Sequence, residues 1–162
     1  MRRRYVAIAV LVSLLLLGSV AAVPGGRALV VADAETGEQY MTVPVEDGTT
    51  VALEYMHSVE KTRVYDEYTV RGDHLEMTRM EFESFGWGLP SGANVTREDG
   101  VYVFDPPGNY TRVTVSPGDI AGHKLHVGAE TYDLVARTNG RSVHLYVTRR
   151  SAFGAATDQF NT

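Results

Sequence analysis

The sequence predicts an all-β domain, an antiparallel sandwich or barrel of about ten short strands, preceded by one N-terminal apolar helix. Three observations predict it. Stretches in which apolar and polar residues alternate recur along the chain from Arg27 to Thr148. Turn-forming clusters separate them at intervals of about 8–12 residues. An uncharged run from Tyr5 to Val23 stands in front of all this, directly behind Arg2-Arg3-Arg4.

The strands are expected at 27–32, 39–43, 49–57, 63–70, 74–85, 101–104, 112–115, 124–127, 131–136 and 143–148. Between them lie Glu46-Asp47-Gly48, Arg71-Gly72-Asp73, Glu98-Asp99-Gly100, Asp105-Pro106-Pro107-Gly108 and Ser116-Pro117-Gly118-Asp119. Such clusters supply positive φ angles and missing N–H donors where the chain reverses. Asn139-Gly140 sits between two alternating runs and reads as the turn of a hairpin. No helical period is read beyond Val23. Alternation puts Val51, Leu53, Tyr55 and His57 on one face of their strand, and Val64, Asp66, Tyr68 and Val70 on one face of the next. His57 and Asp66 therefore fall on core faces, where a polar group needs a partner. On the strand after that, Leu75 and Met77 share one phase while Met80 and Phe82 share the other. A bulge near Thr78-Arg79 reconciles them.

The apolar run is long enough for the roughly 30 Å of a bilayer core, and its arginine flank stays cytoplasmic. Residues 1–23 are thus a membrane anchor or a signal peptide, 24–26 a Pro-Gly-Gly linker, 27–150 the β domain and 151–162 a polar tail. The domain is expected on the extracytoplasmic face of the membrane, or secreted if Ser19-Val20-Ala21 or Val20-Ala21-Ala22 is a cleavage site. On that side Asn94-Val95-Thr96 and Asn109-Tyr110-Thr111 are glycosylation candidates. The net charge is −5, of which Arg2, Arg3 and Arg4 contribute +3, so the rest of the chain carries −8. That balance argues against nucleic acid as a partner. The chain has no cysteine, which excludes thiol catalysis, zinc–thiolate and iron–sulfur sites.

Two runs stand out chemically. His57-Ser58-Val59-Glu60-Lys61-Thr62 closes a strongly alternating strand and puts an imidazole, hydroxyls, a carboxylate and an ammonium within six residues. Phe82-Glu83-Ser84-Phe85-Gly86-Trp87-Gly88-Leu89-Pro90 combines three aromatic rings with glycines that let the backbone approach a ligand. The candidate ligand-binding residues are His57, Ser58, Glu60, Lys61, Thr62, Ser84, Phe85, Gly86 and Trp87. An ammonium beside an imidazolium suits a small carboxylate. The competing reading is a polar hairpin loop in which His57 only ties backbone together. His123 and His126, three apart on a strand, face opposite sides and are badly spaced for one metal ion. No cofactor is expected. A Ser-His-acid set can be drawn from Ser58 or Ser84 with His57 and Asp66, but no nucleophile elbow is present, so hydrolysis is the weaker reading.

The two runs together resemble the family known as domain of unknown function 1850, whose members carry a His-Ser-Val-Glu-Lys-Thr-Pro-Val run followed by Ser-Phe-Gly-Ala-Gly-Leu-Pro. The resemblance extends over about Ala28 to Thr148, with Arg63 in place of the family's proline and Trp87 in place of its alanine. It implies a small exported or membrane-anchored protein, often encoded beside tripartite TRAP transporters of the TAXI type, with no established activity. The resulting expectation is a non-enzymatic accessory domain whose partner is a TRAP permease or solute-binding protein. The alternative is a free-standing domain that binds a small carboxylate.

Overall fold

The computed structural model describes residues 26–84 and 95–150. Within it Ala28–Thr148 form one compact unit. Outside that unit, the Arg150 N–H donates to the Gly26 carbonyl at 3.0 Å. The apolar run 5–23, the tail 151–162 and the segment 85–94 lie outside the described residues. Among the described residues no helix is long and apolar enough to cross a membrane.

The strands are β1 (Arg27–Asp33), β2 (Gln39–Val45), β3 (Thr50–Met56), β4 (Arg63–Arg71), β5 (His74–Phe82) and β6 (Thr96–Glu98). They continue as β7 (Val101–Phe104), β8 (Asn109–Tyr110), β9 (Val113–Val115), β10 (Lys124–Val127), β11 (Glu130–Asp133) and β12 (Val143–Arg149), with one short helix, α1 (Leu134–Thr138), before the last. One sheet has the order β2-β1-β12-β9; the other runs β11-β10-β3-β4-β5-β7-β6, with β8 paired to β5. The expected all-β architecture is what forms. Leu29, Val31, Leu145 and Val147 of the first sheet and Val51, Leu53, Val70 and Leu125 of the second share one buried apolar cluster. The two sheets are therefore the layers of a sandwich.

The central register positions everything that follows. On β3 and β4, Leu53 lies opposite Asp66 and Tyr55 opposite Val64. On β4 and β5 the pairing runs Val64 to Phe82 and Asp66 to Met80, then shifts between Glu67 and Tyr68. Thr78 is the extra residue, and its hydroxyl donates to the Glu67 carboxylate at 3.3 Å. The bulge expected near Thr78-Arg79 is there. Because of it Leu75 and Phe82, which a regular strand would put on opposite faces, are both buried.

Two sequence expectations are corrected. The strand expected over 131–136 ends at Asp133, and Leu134–Thr138 turn into α1. The Asp133 carboxylate caps the helix by accepting the Ala136 N–H at 3.0 Å. Leu134 and Thr138, one turn apart, are the residues the helix buries, and the Thr138 hydroxyl bonds the Leu134 carbonyl. Asn139-Gly140 is accordingly not a hairpin turn. Asn139, at φ 52°, is the left-handed C-cap and donates its N–H to the Val135 carbonyl. The short strands β6 and β8 were not expected, and the strand expected over 74–85 is β5, ending at Phe82.

One buried acid ties the end of β1 to β2 and to the segment leading into β12. Asp33, 2% exposed, accepts from the Tyr40 hydroxyl (2.8 Å), from Arg141 Nε (2.6 Å) and from the N–H groups of Glu35 and Thr36. The Thr36 N–H contributes most to holding its carboxyl well below the usual carboxylate range; desolvation opposes this, and Tyr40, Glu35 and Arg141 reinforce it. Nearby the Ala34 N–H donates to Ser142 O, and Ser142 Oγ lies 2.8 Å from Ser116 Oγ. Asp33→Ala strands Arg141, Tyr40 and two backbone donors. It is expected to lower the melting temperature by roughly 10 °C near neutral pH. Because the native carboxyl is depressed, its contribution is complete above about pH 4 and is lost on further acidification. Thermal scans of the two proteins at pH 7 and pH 2.5 should therefore differ most at pH 7.

Candidate functional site

At one end of the sandwich β3 runs out at Met56 and β4 begins at Arg63. The six residues between form a tight turn closed by the His57 N–H to the Thr62 carbonyl (2.8 Å) and the Lys61 N–H to the His57 carbonyl (3.0 Å). His57 Nδ1 accepts the N–H groups of Val59 (3.3 Å) and Glu60 (3.2 Å), so its ring proton sits on Nε2. The imidazole expected to supply positive charge organises the turn instead through an accepting ring nitrogen. Lys61 has φ 55°, a left-handed conformation that costs a side-chain-bearing residue about 1 kcal/mol or more. Ser58, Glu60 and Lys61 are exposed on the turn; His57 and Thr62 are half-buried.

The second run leaves β5 at this same end, because Val64 pairs with Phe82. Two residues beyond, Ser84 Oγ lies 3.1 Å from Thr62 Oγ1. The two sequence runs, 22 residues apart, thus touch through a pair of hydroxyls. Phe85, Gly86 and Trp87, like the sequon residue Asn94, lie outside the described residues, while Asn109 is exposed on β8. The partner of the Ser84 hydroxyl is Thr62, and the Nδ1 of His57 is taken by backbone donors, which is not the relay a Ser-His-acid set would use.

A third segment completes this end. The Met56 N–H donates to the Ala121 carbonyl (2.8 Å), bringing the loop before β10 against the end of β3. Tyr55, Met56, Ile120 and Ala121 line a cavity of about 370 Å³ there. Ile120 (75% exposed) and Val59 (67%) are, with Met56, three of the four large exposed apolar residues among the described ones. His123 and His126 face opposite sides as expected: His123 stacks on Tyr55 at 5.0 Å, and His126 lies 5.9 Å from Tyr65.

Arg63, where proline was expected from the resemblance, is the hub of the outer face. Its guanidinium bridges Glu54 and Glu81 (3.2 Å each) and lies 4.7 Å over the Tyr65 ring. The pairing continues outward, with Glu54 meeting His126 (3.7 Å) and Lys124 (3.8 Å), and Arg79 joining Glu81 to Glu98 (2.8 Å each). These half-exposed pairs are individually weak but together lace β10, β3, β4, β5 and β6 side by side.

On the inner face, three residues into β4, is Asp66. It is 8% exposed, and its Oδ1 has no hydrogen-bond partner. Burial pushes its carboxyl up to about 6, the Tyr55 hydroxyl beside it offsetting only part of the effect. Burial and the charge of Asp66 raise the Tyr55 phenol in turn, and burial lowers His123, whose Nδ1 is also without a partner. Phase alone marked Asp66 as core-facing; nothing in the sequence said that it lacks a counter-ion there.

These features define a class: an all-β sandwich with one polar end, formed where a strained turn, a second loop and a third segment converge. Residues 51–134, just over half of the chain, match the family model described as domain of unknown function (DUF1850), and the chain belongs to that family. No curated protein and no solved structure matches it.

Asp66→Asn tests the state of the buried acid. Its native pKa is raised above the unfolded value of about 4, so native stability is greatest below pH 4 and falls as pH rises through the window of about 4 to 6. The loss on ionisation is about 2–3 kcal/mol. The asparagine variant should lose that slope and melt higher than the parent at pH 7.5, as read by thermal scans from pH 4 to 8.

Proposed function

We propose that this chain is a non-catalytic binding domain on the extracytoplasmic side of the membrane, acting as an accessory to a TAXI-type TRAP solute transporter. The observation that carries the reading is the 3.1 Å contact between Thr62 and Ser84, which joins the two family motifs at one end of the sandwich. A turn held in a strained conformation, with exposed Lys61 at its tip and apolar Val59 beside it, is costly to keep for stability alone. Exposed apolar side chains grouped at the same end suit contact with a partner. The apolar run behind three arginines supplies the tether. The free-standing carboxylate-binding alternative rests on exposed Lys61, since the Nδ1 of His57 is engaged by the backbone of its own turn.

Isolation of the full chain from its own membrane in mild detergent should recover the permease or the solute-binding subunit of such a transporter. Recovery of neither overturns the proposal. Lys61→Gly removes the charge while relaxing the left-handed backbone, so the melting temperature should hold or rise slightly. Recovery of the transporter subunit should nevertheless drop at least about fivefold, the equivalent of about 1 kcal/mol of lost contact.

A further inference from the structure

The two buried carboxylates among the described residues are in opposite situations. Asp33 is met by a guanidinium, a phenol and two backbone donors, which leaves it nothing further to bind. Asp66 is nine-tenths buried with Oδ1 unbonded. The groups around it are Tyr55 on β3, Tyr68 two residues along its own strand, Leu53 opposite on β3 and Met80 opposite on β5. Beyond Tyr55 lies His123, whose basicity burial lowers, and beyond Tyr68 lies the ring of Tyr110 at 6.1 Å. None of these is a cation, and no cationic side chain acts on the Asp66 carboxyl. The segment 85–94 that follows Ser84 carries no lysine, arginine or histidine either.

A carboxylate removed from water must be neutralised by a proton or by a positive charge. Among the described residues no cation reaches Asp66, while Tyr55 beside it also lines the 370 Å³ cavity at the end of β3, whose wall carries Glu54 with its partners Arg63 and Lys124. We propose that Asp66, with the Tyr55 hydroxyl beside it, is the anion of a site for a small organic ammonium group. This deepens the reading of the motif end as a binding site and names the chemistry of what it takes.

The surroundings select an organic ammonium over a metal ion. A hard metal cation needs several oxygen or nitrogen ligands, and among the described residues no three histidines or carboxylates are grouped to hold one. A single carboxylate with one phenol hydroxyl beside it and aromatic rings nearby matches instead a weakly hydrated ammonium, held chiefly by charge in an apolar, aromatic surrounding. The unpartnered Oδ1 accepts its N–H where it has one. The orphaned Nδ1 of His123, stacked on Tyr55, is a second acceptor at the rim.

The test uses the full chain in detergent, with methylammonium chloride and choline chloride compared against sodium chloride at equal ionic strength. At pH 8, where Asp66 is ionised, one or both probes should raise the melting temperature by about 2–4 °C over the sodium control. The rise should vanish in Asp66→Asn and shrink at pH 5, where the acid holds its own proton. Equal rises in the parent and Asp66→Asn, or no rise with either probe, overturn the proposal. Should the variant fail to fold, the parent decides alone, since a rise undiminished between pH 8 and pH 5 overturns it too. Co-isolation with transporter subunits reads out separately. Its presence without an ammonium response removes this inference only, and its absence with a clear response removes only the accessory role.

Discussion

A single unpaired residue decides what the large sheet can be. With Thr78 bulged out of the β4–β5 ladder, the first half of β5 sends Leu75 to the common core. The second half still sends Phe82 inward, to 0% exposure. In a regular strand one of the two would face solvent, at a cost of about 1.5–3 kcal/mol for the lost burial of a large side chain. The same slip fixes the register that pairs Val64 with Phe82, which in turn brings Ser84 to Thr62. The meeting of the two motifs is thus a consequence of strand phase, with the hydroxyl contact following rather than causing it.

The charged residues divide by face. Outward, every carboxylate of the ladder through Glu54, Glu81 and Glu98 has a cationic neighbour, so desolvation is shallow and well compensated. Inward, Asp33 is compensated by four hydrogen bonds, from Glu35, Thr36, Tyr40 and Arg141, whereas Asp66 is left with an oxygen that none of the described residues satisfies. A buried carboxylate without a counter-charge is destabilising once it ionises. The placement of Asp66 beside the Tyr55 phenol, near Tyr68 and His123, separates that corner from the apolar core around it.

Much of this was legible in the sequence, and the remainder was not for physical reasons. Period-two alternation located the long strands, and the change of phase between Met77 and Met80 located the bulge, because both are properties of the local chain. Sequential strands tend to be neighbours, which placed the two motifs together. The segment Asp133 to Gly140 misled because its apolar spacing fits a strand, while the deciding features were an Asp cap, an Asn-Gly stop and burial of Leu134 with Thr138. Two-residue β8 and three-residue β6 carry too few side chains to show a period at all. His57 showed itself as polar and core-facing, but which ring nitrogen it offers depends on the backbone donors of Val59 and Glu60, a matter of turn geometry.

The order of the first sheet carries a consequence for how the chain reaches its native state. The first strand, β1, lies between β2 and β12, the last strand of the described chain. Asp33 likewise waits for Arg141, 108 residues later. Contacts of such sequence separation close late and slowly, because loop closure must be completed before they stabilise anything. A chain leaving the ribosome can therefore complete the large sheet's β3–β4–β5 meander early, but β1 keeps one edge open until β12 has been made. Until then the first sheet stays unclosed at its centre, and the buried carboxylate of Asp33 waits without its guanidinium partner.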